Sequence, residues 1–269
     1  MSRKGKPMKP HRIKAVMLRH TYEARRNMDR VIDMVYWPVL DIIVWGFFTI
    51  YLGRGGHLQP GLVSCMLGAI ILWGLFFGFQ RDMAVGFLDE LWSRNLVNLF
   101  STPLSVEEYM TGLIAVNVAK AMVGMSCAAL IAWVFYAFDI FPMLPMFLPF
   151  MLNLILFALA LGIIITGLIF RYTTKIQGLA WSFAGLLMPL SCVLYPLKSL
   201  PSYLRPLAWM LPTTHSFEGM RQALAGGGFS ARDFEWGLAL NVGYFVFALI
   251  FFRWIFESAR SRGLLVKLE

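Results

Sequence analysis

The chain has 269 residues, of which 58% are hydrophobic and 14% charged, with 24 Lys and Arg against 15 Asp and Glu. A mean hydropathy of +0.65 excludes an ordinary soluble domain and implies an integral membrane protein. The net charge of +9 is no sign of a nucleic-acid partner, because the basic residues gather at the chain ends and in certain loops, which makes them a topology signal.

Residues 1–31 carry ten Lys and Arg against Glu23 and Asp29, and the missing apolar core argues against a signal peptide. From Ile13 the positions Val16, Met17, His20, Ala24, Met28 and Val31 recur at spacings of three and four. That pattern predicts an amphipathic helix on the inner membrane surface, its basic face toward anionic headgroups. Spans of about the 20 residues needed to cross the hydrocarbon follow at Ile32 to Tyr51 and Pro60 to Phe79. Further spans are predicted at Met110 to Phe138, Met146 to Phe170, Ile176 to Tyr195 and Trp236 to Phe256. With both termini cytoplasmic, 18 Lys and Arg lie inside and five outside, with Lys120 in a span, so the positive-inside rule sets the orientation. The expected organisation is a basic N-terminal segment 1–31, a six-span region 32–256 and a cytoplasmic tail 257–269.

Between spans two and three, residues 80–103 interrupt the apolar pattern. Ala84, Phe87, Leu88, Leu91, Trp92, Asn95, Leu96 and Leu99 form an apolar helical stripe, with Asp82, Asp89, Glu90 and Arg94 elsewhere on the helix. Such a stripe suits a helix in the membrane interface or one docked in another protein's groove. Ser105 and Glu108 are spaced as a capping box for the next helix. Between spans five and six, residues 198–233 hold Pro201, Pro206 and Pro212 among apolar pieces too short to cross, which predicts two short re-entrant or interfacial helices. The second takes Thr213 or Thr214 as N-cap, carries Phe217, Met220 and Leu224 on one face, and ends at Gly226 to Gly228.

Catalytic chemistry is sparse. No G-x-x-x-x-G-K-[ST] occurs, so the chain has no ATP-binding P-loop of that kind, and His11, His20, His57 and His215 lack zinc-site spacing. Cys65, Cys127 and Cys192 read as small apolar residues, and no metal site is expected. Ser126 in Gly124-Met125-Ser126-Cys127 lacks a histidine base in any later span, which disfavours an intramembrane protease. Asp41 and Lys120 are the intramembrane charges, at matched depth in spans one and three. They either pair or lie apart, Asp41 in a wet cavity and Lys120 snorkelling. Gly74 and Gly78 suit internal helix packing or a dimer seam. No convincing inverted repeat supports an ion-driven secondary transporter, which stays as the alternative.

The basic N-terminal helix, the stretch FLDELWSRNLVNLFSTPLSVEEYMTG and the segment LPTTHSFEGMRQALAGG together resemble the type-2 ATP-binding-cassette exporter permeases, over nearly the whole chain. The resemblance implies an all-α membrane fold of six spans and a connecting helix at Ile13 to Arg30. It also implies a cytoplasmic coupling region including Asp82, Phe87, Asp89, Glu90, Leu91, Trp92 and Arg94, and an extracellular gate including Pro212, Glu218 and Arg221. It further implies two such chains, in a bacterial or archaeal plasma membrane, with separate ATPase subunits that bind ATP and Mg, this chain binding no cofactor itself. Drug, lipid and polysaccharide cargoes are alike consistent with it.

Overall fold

A computed structural model describes residues 8–26, 28–54, 60–93, 95, 98, 101–137 and 144–261. Nine α-helices are defined among these residues: α1 (Pro10–Arg26), α2 (Met28–Arg54), α3 (Pro60–Trp92), α4 (Val106–Tyr136), α5 (Leu144–Tyr172), α6 (Leu179–Leu187), α7 (Arg205–Trp209), α8 (Pro212–Gln222) and α9 (Ala231–Ser261). No strand occurs among the described residues.

Hydrophobic burial orders the long helices. α5 packs between α3 and α9, α4 packs against α3 and α2, α1 lies across α4, and α8 inserts between α5 and α9. α3 and α5 are largely buried, and Phe76, Phe79, Phe147, Phe157 and Phe170 fill the space around them. α4 and α9 instead expose rows of large apolar residues, among them Met122, Leu130, Trp133, Val242, Phe247 and Trp254. That distribution suits lipid outside and protein inside, since a helix satisfies its own backbone groups in hydrocarbon. Polar contacts also join the spans. Asn241 Nδ2 donates to the backbone oxygen and Oδ1 of Asn153 at 2.9 and 3.1 Å, and Asn153 Nδ2 donates to Phe234 O at 3.1 Å, tying α5 to α9.

Part of the expected six-span pattern is present among the described residues. Among the described residues, α3, α4, α5 and α9 are long and apolar enough to cross a membrane, and α2 contributes a shorter apolar stretch, Val35–Tyr51. The expected span Ile176 to Tyr195 is not one helix. A 3₁₀ turn covers Thr173–Ile176, α6 stops at Leu187, and turns follow. Pro189 lacks the N–H that would continue the ladder, and although Met188 before it keeps helical angles, the chain leaves the helical path by Cys192, whose φ is 54°. Nine residues rise only about 14 Å, well short of the hydrocarbon thickness.

Two further expectations change. The interfacial helix at 80–103 is, as far as Trp92, a continuation of α3, so its stripe is absorbed by the bundle: Ala84, Phe87, Leu88 and Leu91 are all buried. Residues 94, 96, 97, 99 and 100, which include Arg94, Leu96 and Leu99, lie outside the described residues. Gly74 and Gly78 do not mediate close packing within this chain, because a Cβ at either meets nothing within 4 Å. The capping box forms as the spacing predicts, with Glu108 N donating to Ser105 Oγ at 3.1 Å and Ser105 N to Glu108 Oε2 at 2.9 Å.

Candidate functional site

The first candidate site is the corner where α1 meets the ends of α3 and α4. Glu90, in the last turn of α3, is 1% exposed and accepts hydrogen bonds on Oε2 from Arg19 Nη2 at 2.8 Å and Asn95 Nδ2 at 2.9 Å. The capping-box residue Glu108 also takes Lys9 N on Oε1 at 2.8 Å, and Arg12 Nη1 lies 3.3 Å from Oε2. Arg12 Nη1 further donates to Pro103 O at 2.5 Å. Two buried carboxylates on different helices therefore hold one basic helix. Val16 and His20 are the buried residues of α1, and they meet α4 rather than lipid: His20 approaches the Tyr109 ring, and Tyr109 Oη donates to Gly86 O at 3.2 Å. Burial lowers the pKa of His20 from its ordinary value, opposed by the nearby Glu23 and Glu90.

Gly112 makes the close approach of α1 possible. A Cβ there would stand 2.7 Å from Val16 Cγ1 and 3.2 Å from Ile13 O. Gly112→Val is expected to lift α1 from α4 and cost about 1–3 kcal/mol by overpacking, measured as a fall in the detergent unfolding midpoint.

The residues implied as a coupling set are thus divided. Phe87, Glu90 and Leu91 face inward, Asp82 lines a cavity higher on α3, and Asp89 is half-buried. Trp92 is the exposed member, 48% accessible, with its Nε1 donating to Gln177 Oε1 at 3.2 Å and its ring stacked at 6.2 Å on Trp181. Arg19 and Arg12 were not in the implied set. Both belong to the basic run of the N-terminal segment, and nothing in the run distinguishes them from their neighbours.

The second candidate site lies at the other end of the bundle. α8 starts at Pro212 with Leu211 as N-cap, so Thr213 and Thr214 are inside the helix and not its cap. Their hydroxyls serve the broken segment after α6: Thr213 Oγ1 donates to Ser191 Oγ at 2.9 Å and Thr214 Oγ1 to Leu190 O at 3.1 Å. Glu218 and Arg221 form the expected i, i+3 pair at 2.8 Å, but it is more than a surface contact. Glu218 Oε1 accepts Leu197 N at 2.6 Å, while Arg221 Nη2 donates to Cys192 O at 2.5 Å and Val193 O at 3.3 Å. Cys192 itself has φ 54°, a left-handed conformation that costs a non-glycine residue energy. Irregular backbone inside a membrane bundle must find internal partners, and α8 supplies them. α8 ends at a π-turn, Ala223–Gly227, where Gly226 and Gly228 take φ of 81° and 70° as their lack of a Cβ permits.

The intramembrane charges do not pair as their matched depth suggests. Lys120 Nζ stands 3.9 Å from Asp82 Oδ2, and Asp41 lines the same cavity without an ion-pair partner among the described residues. Among the described residues no group of three His, Cys, Asp or Glu side chains is placed to hold a metal ion.

Long apolar helices on a polar-capped bundle define a multi-pass membrane protein with no assembled catalytic constellation among the sites described. The family profile described as ABC-2 type transporter matches residues 13–225. This chain belongs to the ABC-2 type transporter membrane family, whose members are the permease subunits of ABC transporters and work in general with a partner ATPase subunit. It is a transport subunit and not a catalytic domain. No curated protein matches it.

Proposed function

We propose that the chain is the transmembrane half of an ATP-binding-cassette exporter, two copies assembling with two ATPase subunits that carry ATP and Mg. On this reading the α1 end faces the cytoplasm, with both termini, in a bacterial or archaeal plasma membrane. The corner at α1 receives the ATPase, and the α8 segment gates the outer end. Closure and reopening of the ATPases drive alternating access by moving packed helices as units.

One observation carries this reading: the buried carboxylates Glu90 and Glu108 bind the same basic helix from α3 and α4, so a push at this corner is delivered to both spans together. Trp92, exposed in the last turn of α3, sits at that corner, where an ATPase groove can reach it. The test is capture of the ATPase by the tagged permease. Trp92→Asp is expected to reduce ATPase capture or ATP-driven transport by at least about ten-fold, the size of a lost interface anchor, with the unfolding midpoint of the permease little changed. Wild-type capture and wild-type transport together in this variant would show that Trp92 is only a surface residue. Leu91→Asp is the poorer probe, because Leu91 is buried and a charge there unfolds the corner itself.

A further inference from the structure

α2, α3 and α4 line a cavity of about 50 Å³, room for a small polar head. Its polar lining is Asp41, Arg81, Asp82, Asn117 and Lys120, and its walls are otherwise apolar. The charges are unevenly matched. Both cations turn to Asp82: Arg81 Nε and Nη2 donate to Oδ1 at 3.1 and 3.0 Å, and Lys120 Nζ approaches Oδ2 at 3.9 Å. Asp41, half-buried in α2, has no hydrogen-bond or ion-pair partner among the described residues. Asn117 is 1% exposed, and its Nδ2 contacts Met83 Sδ at 3.6 Å while its Oδ1 has no partner.

Among the described residues, Lys120 Nζ makes no hydrogen bond but has the Asp82 carboxylate beside it, whereas the Asp41 carboxylate has no cation and Asn117 Oδ1 no donor, so the uncompensated groups of the cavity are these two acceptors. In a bilayer both states are costly, so a ligand able to relieve them is bound selectively. The group that fits carries positive charge and N–H donors, and the apolar walls formed by Ile42, Ile70, Ile71 and Leu75 fit a hydrocarbon chain. The geometry points to a binding site for the primary ammonium head of an amphiphile, held by Asp41 and Asn117. Its role as cargo rests on the exporter reading; the binding itself does not.

The full-length chain in nanodiscs is titrated with a long-chain primary alkylammonium that carries a fluorophore at its far end. Trimethylammonium and sulfate analogues of the same chain serve as competitors. The primary ammonium is expected to bind saturably, and Asp41→Asn to weaken it at least about ten-fold by removing the charge partner. Asn117→Leu, on a different helix, is expected to weaken it about three-fold or more, the loss of one hydrogen bond. The trimethylammonium compound, which has no N–H, competes less well, and the alkyl sulfate does not compete. Lys120→Met is expected to leave affinity within about two-fold, since Lys120 faces Asp82. Unchanged binding in Asp41→Asn, or equal competition by the sulfate, overturns the site, as does a large tightening in Lys120→Met, which would make Lys120 the true partner of Asp41. ATPase capture is read separately and without this ligand, so failure here and failure of the exporter reading are distinguishable.

Discussion

Arg19→Met is expected to cost roughly 3 kcal/mol of stability and to uncouple the corner. The reason is what it leaves behind: Glu90, 1% exposed, keeps only Asn95 as a donor, and Glu90 Oε1 already lacks a partner. Removing one member of a buried pair costs about 3–5 kcal/mol, because the remaining charge stays desolvated. The low end applies, since the Arg19 side chain is one-third exposed and water screens part of the interaction. Glu90→Gln should be milder than Arg19→Met, as it removes the buried charge itself. In the double variant Arg19→Met with Glu90→Gln, much of the loss should return, giving a coupling of about 1–3 kcal/mol between the sites. Unfolding midpoints of the four proteins give that number. ATP-driven transport by the reconstituted complex shows whether the pair also transmits work, and equal losses that simply add would deny any coupling.

Arg221→Met is expected to be the most damaging single change at the α8 end, at about 2–4 kcal/mol. One guanidinium there holds the Glu218 carboxylate and the carbonyls of Cys192 and Val193, and its loss strands an anion and two backbone acceptors together. Arg221→Lys should recover only part of this, because an ammonium lacks the planar fork that reaches separate acceptors. Glu218→Gln should cost less than Arg221→Met, since an amide oxygen still accepts Leu197 N. The local readout is Cys192, whose side chain is buried and sits where the backbone is held in a left-handed turn. Maleimide labelling of Cys192 should accelerate in Arg221→Met and stay slow in Glu218→Gln, and slow labelling in both would mean that the segment is held by other contacts.

These two sites show how unevenly the molecule can be read from its residues. The capping box at Ser105 and Glu108 was legible because its rule spans three residues and needs no partner from elsewhere. The glycines ending α8 were legible for the same reason. The helical stripe of 84–91 was also correctly periodic, but periodicity does not say what covers an apolar face, and here α3 simply continues and the bundle covers it. Asp41 and Lys120 stood out as charges in apolar runs, yet their matched depth was a weak guide, since helix rotation turns Lys120 to Asp82.

Composition and local pattern alone specify a helical membrane protein, the capping box that starts α4, the glycines that follow α8, and the motifs that carry the family resemblance, because hydropathy and capping act within a few residues of chain. The pairing of Glu90 with Arg19, Glu108 with α1, and Arg221 with the broken segment after α6 was settled only by packing. Each joins residues between 28 and 99 positions apart. Ten basic residues in the first 31 were chemically interchangeable candidates for Glu90 and Glu108. The approach of α1 over Gly112, a steric property of two folded helices, is what brings Arg12 and Arg19 to them.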